Sequence, residues 1–100
     1  MDRLLPAAAR IAEILKAREQ TLAVSESAAG GLISAALLAV PGASAFYLGG
    51  GVIYTKPARR ALLGLSDREV KAKGATESYA LIAARTIRER LEADWAIGES

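Results

Sequence analysis

Cysteine and histidine are both missing from this chain of 100 residues. Their absence removes disulfides, thiolate nucleophiles, zinc-finger ligation, imidazole general bases and most transition-metal sites. A metal site would need clustered carboxylates, and the sequence offers no suitable cluster, so no metal is expected. Large aromatics are scarce, with only Phe46, Tyr47, Tyr54, Tyr79 and Trp95. Much of the 52% hydrophobic content is alanine, which buries little area per residue. A core this thin points either to stabilisation by a partner subunit, with a homo-oligomer expected, or to an absent part of the domain. No long apolar run is present, so neither a signal peptide nor a membrane span is expected, and the cytoplasm is the default location. Charge of one sign is lacking too: the formal balance is only +2. Basic and acidic residues alternate through Arg85, Arg88, Glu89, Arg90 and Glu92, the pattern of a solvated helix face. With no basic stripe interleaved with aromatics, no nucleic-acid partner is expected.

What is present alternates between helix and strand patterns. Ala8, Ile11, Ala12 and Leu15 predict a helix over 4–18, with Pro6 tolerated in its first turn. Thr21–Ser25 reads as a strand buried on both faces. A helix follows through Leu32, Ile33, Ala36, Leu37 and Val40, ending before Pro41. Pro41-Gly42-Ala43-Ser44 reads as a turn, and Phe46-Tyr47-Leu48 as short helical or irregular chain. The run Gly49-Gly50-Gly51 leads into a second strand, Val52–Thr55. Pro57 opens a short helix that Gly64 closes, and Ser66 with Glu69 has the spacing of a capping box. Thr76 caps a long helix with an expected buried stripe of Ala80, Ala84, Ile87 and Leu91. Trp95-Ala96-Ile97 reads as a third strand. The expectation is a single α/β domain over 1–100, with helices covering a mainly parallel or mixed sheet.

The run Ser27-Ala28-Ala29-Gly30-Gly31 stands between the first strand and the second helix. Glycine at a helix start costs about 1 kcal/mol relative to alanine, and this alanine-rich chain places two there. One reading is that a ligand approaches the backbone closely, drawn by the N–H groups and positive dipole end of the helix. The other is that the glycines only allow tight packing. Ser27 is likewise either a plain helix N-cap or a ligand contact.

Five motifs recur in order: Glu26-Ser27-Ala28-Ala29-Gly30-Gly31, Val40-Pro41-Gly42-Ala43-Ser44-Ala45, Gly50-Gly51-Val52-Ile53-Tyr54, Ala61-Leu62-Leu63-Gly64 and Lys73-Gly74-Ala75. Together, from Leu22 onward, they resemble the C-terminal domain of the competence/damage-inducible protein CinA, a family that includes nicotinamide-nucleotide amidases. The resemblance implies a three-layer α/β/α sandwich and hydrolysis of nicotinamide mononucleotide to nicotinic acid mononucleotide and ammonia, without metal or organic cofactor. It implies Ser27, Ser44, Tyr54 and Arg59 as catalytic candidates and Glu26, Gly30 and Gly31 as substrate-binding ones. Either serine is a candidate nucleophile, and Tyr54 would relay a proton or orient the serine. The family's lysine falls on Arg59, which stays protonated and is a poor base; it would instead clamp a phosphate. Lys56 is a weaker substitute base. The family's Cys-Thr is Ala28-Ala29 here. The family's domain also runs past Ser100, so the chain is either a fragment or a shortened relative. Three functions stay open: an amidase, a non-catalytic nucleotide- or partner-binding protein, and a structural dimerisation module.

Overall fold

The computed structural model describes residues 1–100. Three parallel strands form the sheet: β1 (Leu22–Glu26), β2 (Tyr47–Val52) and β3 (Trp95–Gly98), in the order β2-β1-β3. Helices α1 (Leu4–Arg18) and α2 (Leu32–Leu38) cover one face; α3 (Lys56–Leu63), α4 (Asp67–Val70) and α5 (Glu77–Leu91) belong to the other. The arrangement is the expected α/β/α sandwich, with a sheet that is wholly parallel. No helix is long and apolar enough to cross a membrane.

β1 is central and buried along its whole length, as its unbroken β-compatible run predicts. Side chains alternate across a strand. Leu22 and Val24 join Ala8, Ala12, Leu15, Ala36, Leu37 and Phe46 in the α1/α2 core. Glu26, two residues further, points to that same side. The second core is built from Ile53, Leu63, Leu65, Val70, Tyr79 and Ala83. Several local signals act as read: Gly64 ends α3 in the left-handed region, Ser66 and Glu69 make both bonds of a capping box, and Thr76 caps α5.

Three readings are corrected. The second strand is Tyr47–Val52, not Val52–Thr55, so the glycine run lies inside it. A Cβ at Gly50 would run into the carbonyl oxygen of Val24 on β1. Close backbone approach is the reason for glycine at that position. In α5 the fully buried residues are Tyr79 and Ala83, and Leu91 is exposed. Ala80 and Ala84 are partly buried and face Gly98 of β3. Helix α2 also stops at Leu38, short of Val40.

The connection out of β1 and the connection into β3 lie on opposite faces of the sheet. From β1 the chain crosses through α2 to β2, then returns through α3–α5 to β3 on the far side of β1. In open α/β sheets the crevice at the carboxyl ends of such a strand pair is where ligands bind.

Candidate functional site

The carboxyl edge of the sheet gathers Glu26, Ser27, Gly30 and Gly31 after β1, Tyr54 after β2, and Glu99 after β3. Ser44 does not join them. It lies in a 3-10 turn, Ala43–Ala45, just before β2, whose first residue Tyr47 pairs with Leu22, the first residue of β1. Ser44 therefore sits at the amino edge. At about 3.3 Å per strand residue, roughly 15 Å of sheet separates it from Ser27.

Glu26 is 1% exposed, and its two carboxylate oxygens each accept a backbone N–H of α2: Ile33 to Oε1 and Ser34 to Oε2, both at 2.9 Å. The helix mouth that the sequence offered to a ligand anion is thus filled by the chain's own carboxylate. Such charge-assisted bonds to the first N–H groups of a helix are the strong kind. Ser27 is not the N-cap of α2; that position is Gly31, with φ +99°, preceded by Gly30 with φ +64°. Both glycines occupy left-handed backbone that alanine avoids. Their conformation accounts for them without a ligand at the backbone.

A second carboxylate holds the turn before the helix. Glu99 Oε1 accepts the N–H of Ser27 at 2.8 Å and of Ala29 at 2.9 Å. With the capping and the turn both secured by glutamates, the Ser27 side chain takes part in no hydrogen bond within the chain, and the residue is half-buried. A hydroxyl in that condition is free to meet a ligand. Nearby on α2, Ser34 Oγ accepts a 2.8 Å hydrogen bond from the Tyr47 hydroxyl. This hydroxyl pair was not among the sequence candidates.

Tyr54 is 72% exposed and unbonded, a phenol reaching into solvent at the strand end. Arg59 is the opposite case, at 7% exposure. Its Nη1 donates to the carbonyl oxygens of Val70 at 3.0 Å and Ala72 at 2.6 Å, and its guanidinium lies 3.7 Å from the ring centroid of Tyr79. These bonds commit Arg59 to joining α3, α4 and α5. Arg59 Nε and the Tyr79 hydroxyl are buried without partners. Burial pushes the Tyr79 phenol above its ordinary 10.0, with the Arg59 charge acting in the opposite direction.

No concavity joins these groups. An apolar trough of about 290 Å³ runs between α1 and β3 and is lined by Ile11, Ile14, Leu15 and Trp95 among others. Another concavity lies at Lys56, Pro57, Arg60 and Ala61, on the first turns of α3. The carboxyl edge around Ser27 is an open ledge within one chain.

The fold and the ledge can be set beside known proteins. The family model of the CinA C-terminal domain matches residues 5–100. A CinA-like protein of Prochlorococcus marinus (strain MIT 9313) is 41% identical over 91 residues, which is 90% of this chain and 21% of that protein. Among solved structures, a CinA superfamily protein of Escherichia coli superposes with a TM-score of 0.84 at 28% identity, over 93% of this chain and 55% of that one. The competence/damage inducible protein CihA of Agrobacterium tumefaciens gives 0.83 at 32% identity, over 93% and 57%. The chain thus spans about a fifth of the curated relative and little more than half of the solved ones. On residues 5–100, the chain belongs to the CinA C-terminal domain family.

Proposed function

We propose that this chain carries an amidase-type site for nicotinamide mononucleotide, with the Ser27 hydroxyl as its ligand-contacting group. The observation that carries the reading is the unengaged Ser27 hydroxyl at the carboxyl edge of β1 and β3, with the residue's own N–H fixed by Glu99. In this reading Ser27 Oγ bonds to the carboxamide carbon. Its proton passes through the Tyr54 phenol to the amide nitrogen, the C–N bond breaks and ammonia leaves. Water then hydrolyses the acyl-serine to nicotinic acid mononucleotide. Glu26, Gly30 and Gly31 shape the ledge through the backbone, and Arg59 anchors the helix that follows Tyr54. Ser44 takes no part within one chain. A neighbouring copy in a homo-oligomer closes the open ledge over the nucleotide.

A specific observation favours a second reading, a non-catalytic nucleotide-binding protein. Where the resemblance expects a lysine that can act as base, the chain has a buried arginine bonded to two backbone carbonyls. A guanidinium in that setting neither accepts a proton nor reaches a phosphate. Ammonia release from nicotinamide mononucleotide, measured alongside calorimetric binding, separates the two. Turnover supports the amidase; binding without turnover supports the second reading; neither removes both.

A further inference from the structure

Glu99 reaches along the carboxyl edge of the sheet to a segment 70 and 72 residues away in sequence. Its backbone is anchored first: its N–H donates to the Ser25 carbonyl oxygen at 2.9 Å, extending the β1–β3 ladder by one bond. Its side chain then gathers two N–H groups on one oxygen, Oε1. The segment it grips needs such a tie. Gly30 and Gly31 follow at once, both left-handed, and glycine has the widest conformational choice of any residue. A serine at Ser27 could supply a local tie through its own hydroxyl, as turn and cap serines do. Here the long-range carboxylate does that work, and the hydroxyl is left unbonded.

We propose that Glu99 is a positioning residue for Ser27, fixing the Ser27–Ala29 turn through Oε1 so that the Ser27 hydroxyl is held in place on the open ledge. This rests on the amidase reading of Ser27. Glu99 acts through the turn and touches no substrate. Because one oxygen accepts both bonds, a glutamine carbonyl can replace it, whereas alanine cannot.

The test compares the full chain with Glu99→Ala and Glu99→Gln. It reads amide hydrogen exchange at Ser27 and Ala29, the thermal midpoint, and kcat and KM for ammonia release from nicotinamide mononucleotide. In Glu99→Ala both amides exchange about tenfold faster or more, and kcat falls about tenfold with KM within about threefold. Glu99→Gln brings both readouts back to within about threefold of wild type, and it is the folded control should the alanine variant melt. Unchanged exchange in Glu99→Ala overturns the tie, whatever the activity. Released amides with an unchanged kcat overturn the positioning role, as does an equal loss of kcat in both variants. Absence of turnover in wild type, with the amides responding as expected, sinks the amidase reading and the catalytic half of the proposal while leaving the tie supported.

Discussion

Replacing Glu26 with alanine tests how the helix mouth is held. The substitution removes two charge-assisted hydrogen bonds, to Ile33 N and Ser34 N, and leaves both donors with no carboxylate in a buried corner. Hydrogen bonds to a charged group are worth about 1.5–3 kcal/mol each before compensation, and loss of a helix cap costs about 0.5–2 kcal/mol. Water reaching α2 at Gly31 and Leu32 recovers part of this, so the expected net loss is about 2–4 kcal/mol. A domain of this size has about 5–15 kcal/mol in all, so the variant stays folded but melts about 10–25 °C lower. Glu26→Gln keeps one acceptor oxygen and loses about half as much. Urea unfolding followed by the fluorescence of Trp95, the only tryptophan, gives both values; an unchanged m-value shows that only stability moved. A Glu26→Ala loss below about 0.5 kcal/mol would refute the capping role and reopen the helix mouth to a ligand anion.

Three further outcomes follow from the packing. Arg59→Lys should cost about 1–3 kcal/mol, because an ammonium cannot reproduce both carbonyl bonds and the stack on Tyr79; an unchanged urea midpoint would contradict the anchoring role. Gly50→Ala should cost about 2–3 kcal/mol through the clash with the Val24 carbonyl oxygen, whereas a neutral result would place β2 differently. Tyr79 has a raised folded-state pKa, so its contribution is fully present below the unfolded value near 10.0 and is lost as pH rises through the folded one. Tyr79→Phe should remove that alkaline fall in stability, and near neutral pH it should be neutral or stabilising because the buried hydroxyl has no partner; an alkaline profile identical to wild type would exclude Tyr79 as its source.

Local signals carried much of the architecture. The caps at Thr76, Ser66 and Gly64, the spacing in α1 and the apolar run of β1 are short-range patterns with short-range physics, and each element forms where those patterns lie. The second strand is expected too far along the chain because glycine disfavours strands on propensity, while Gly50 is there for a neighbouring strand that propensity does not see. In α5 the alanine spacing located a real contact face, towards Gly98, but not the deeper Tyr79 and Ala83 side, which depends on where α3 and α4 pack. At the site, the motif drew attention to Ser27 and Glu26, yet their division of labour was hidden. Glu26 precedes α2 by six residues, outside capping-box spacing, and Glu99 meets Ser27 only once β3 lies beside β1. Ser44 and Arg59 show the reverse. Adjacency to a motif marked them, and the chain path carries one to the far edge of the sheet and the other into the core.

Ammonia release from nicotinamide mononucleotide by wild type and Ser27→Ala tests the account most directly. The account predicts turnover by wild type and its loss in the variant, with the unfolding free energy changed by less than about 0.5 kcal/mol because the hydroxyl bonds nothing within the chain. Equal turnover by the two proteins, or a variant that loses both activity and stability, would contradict it.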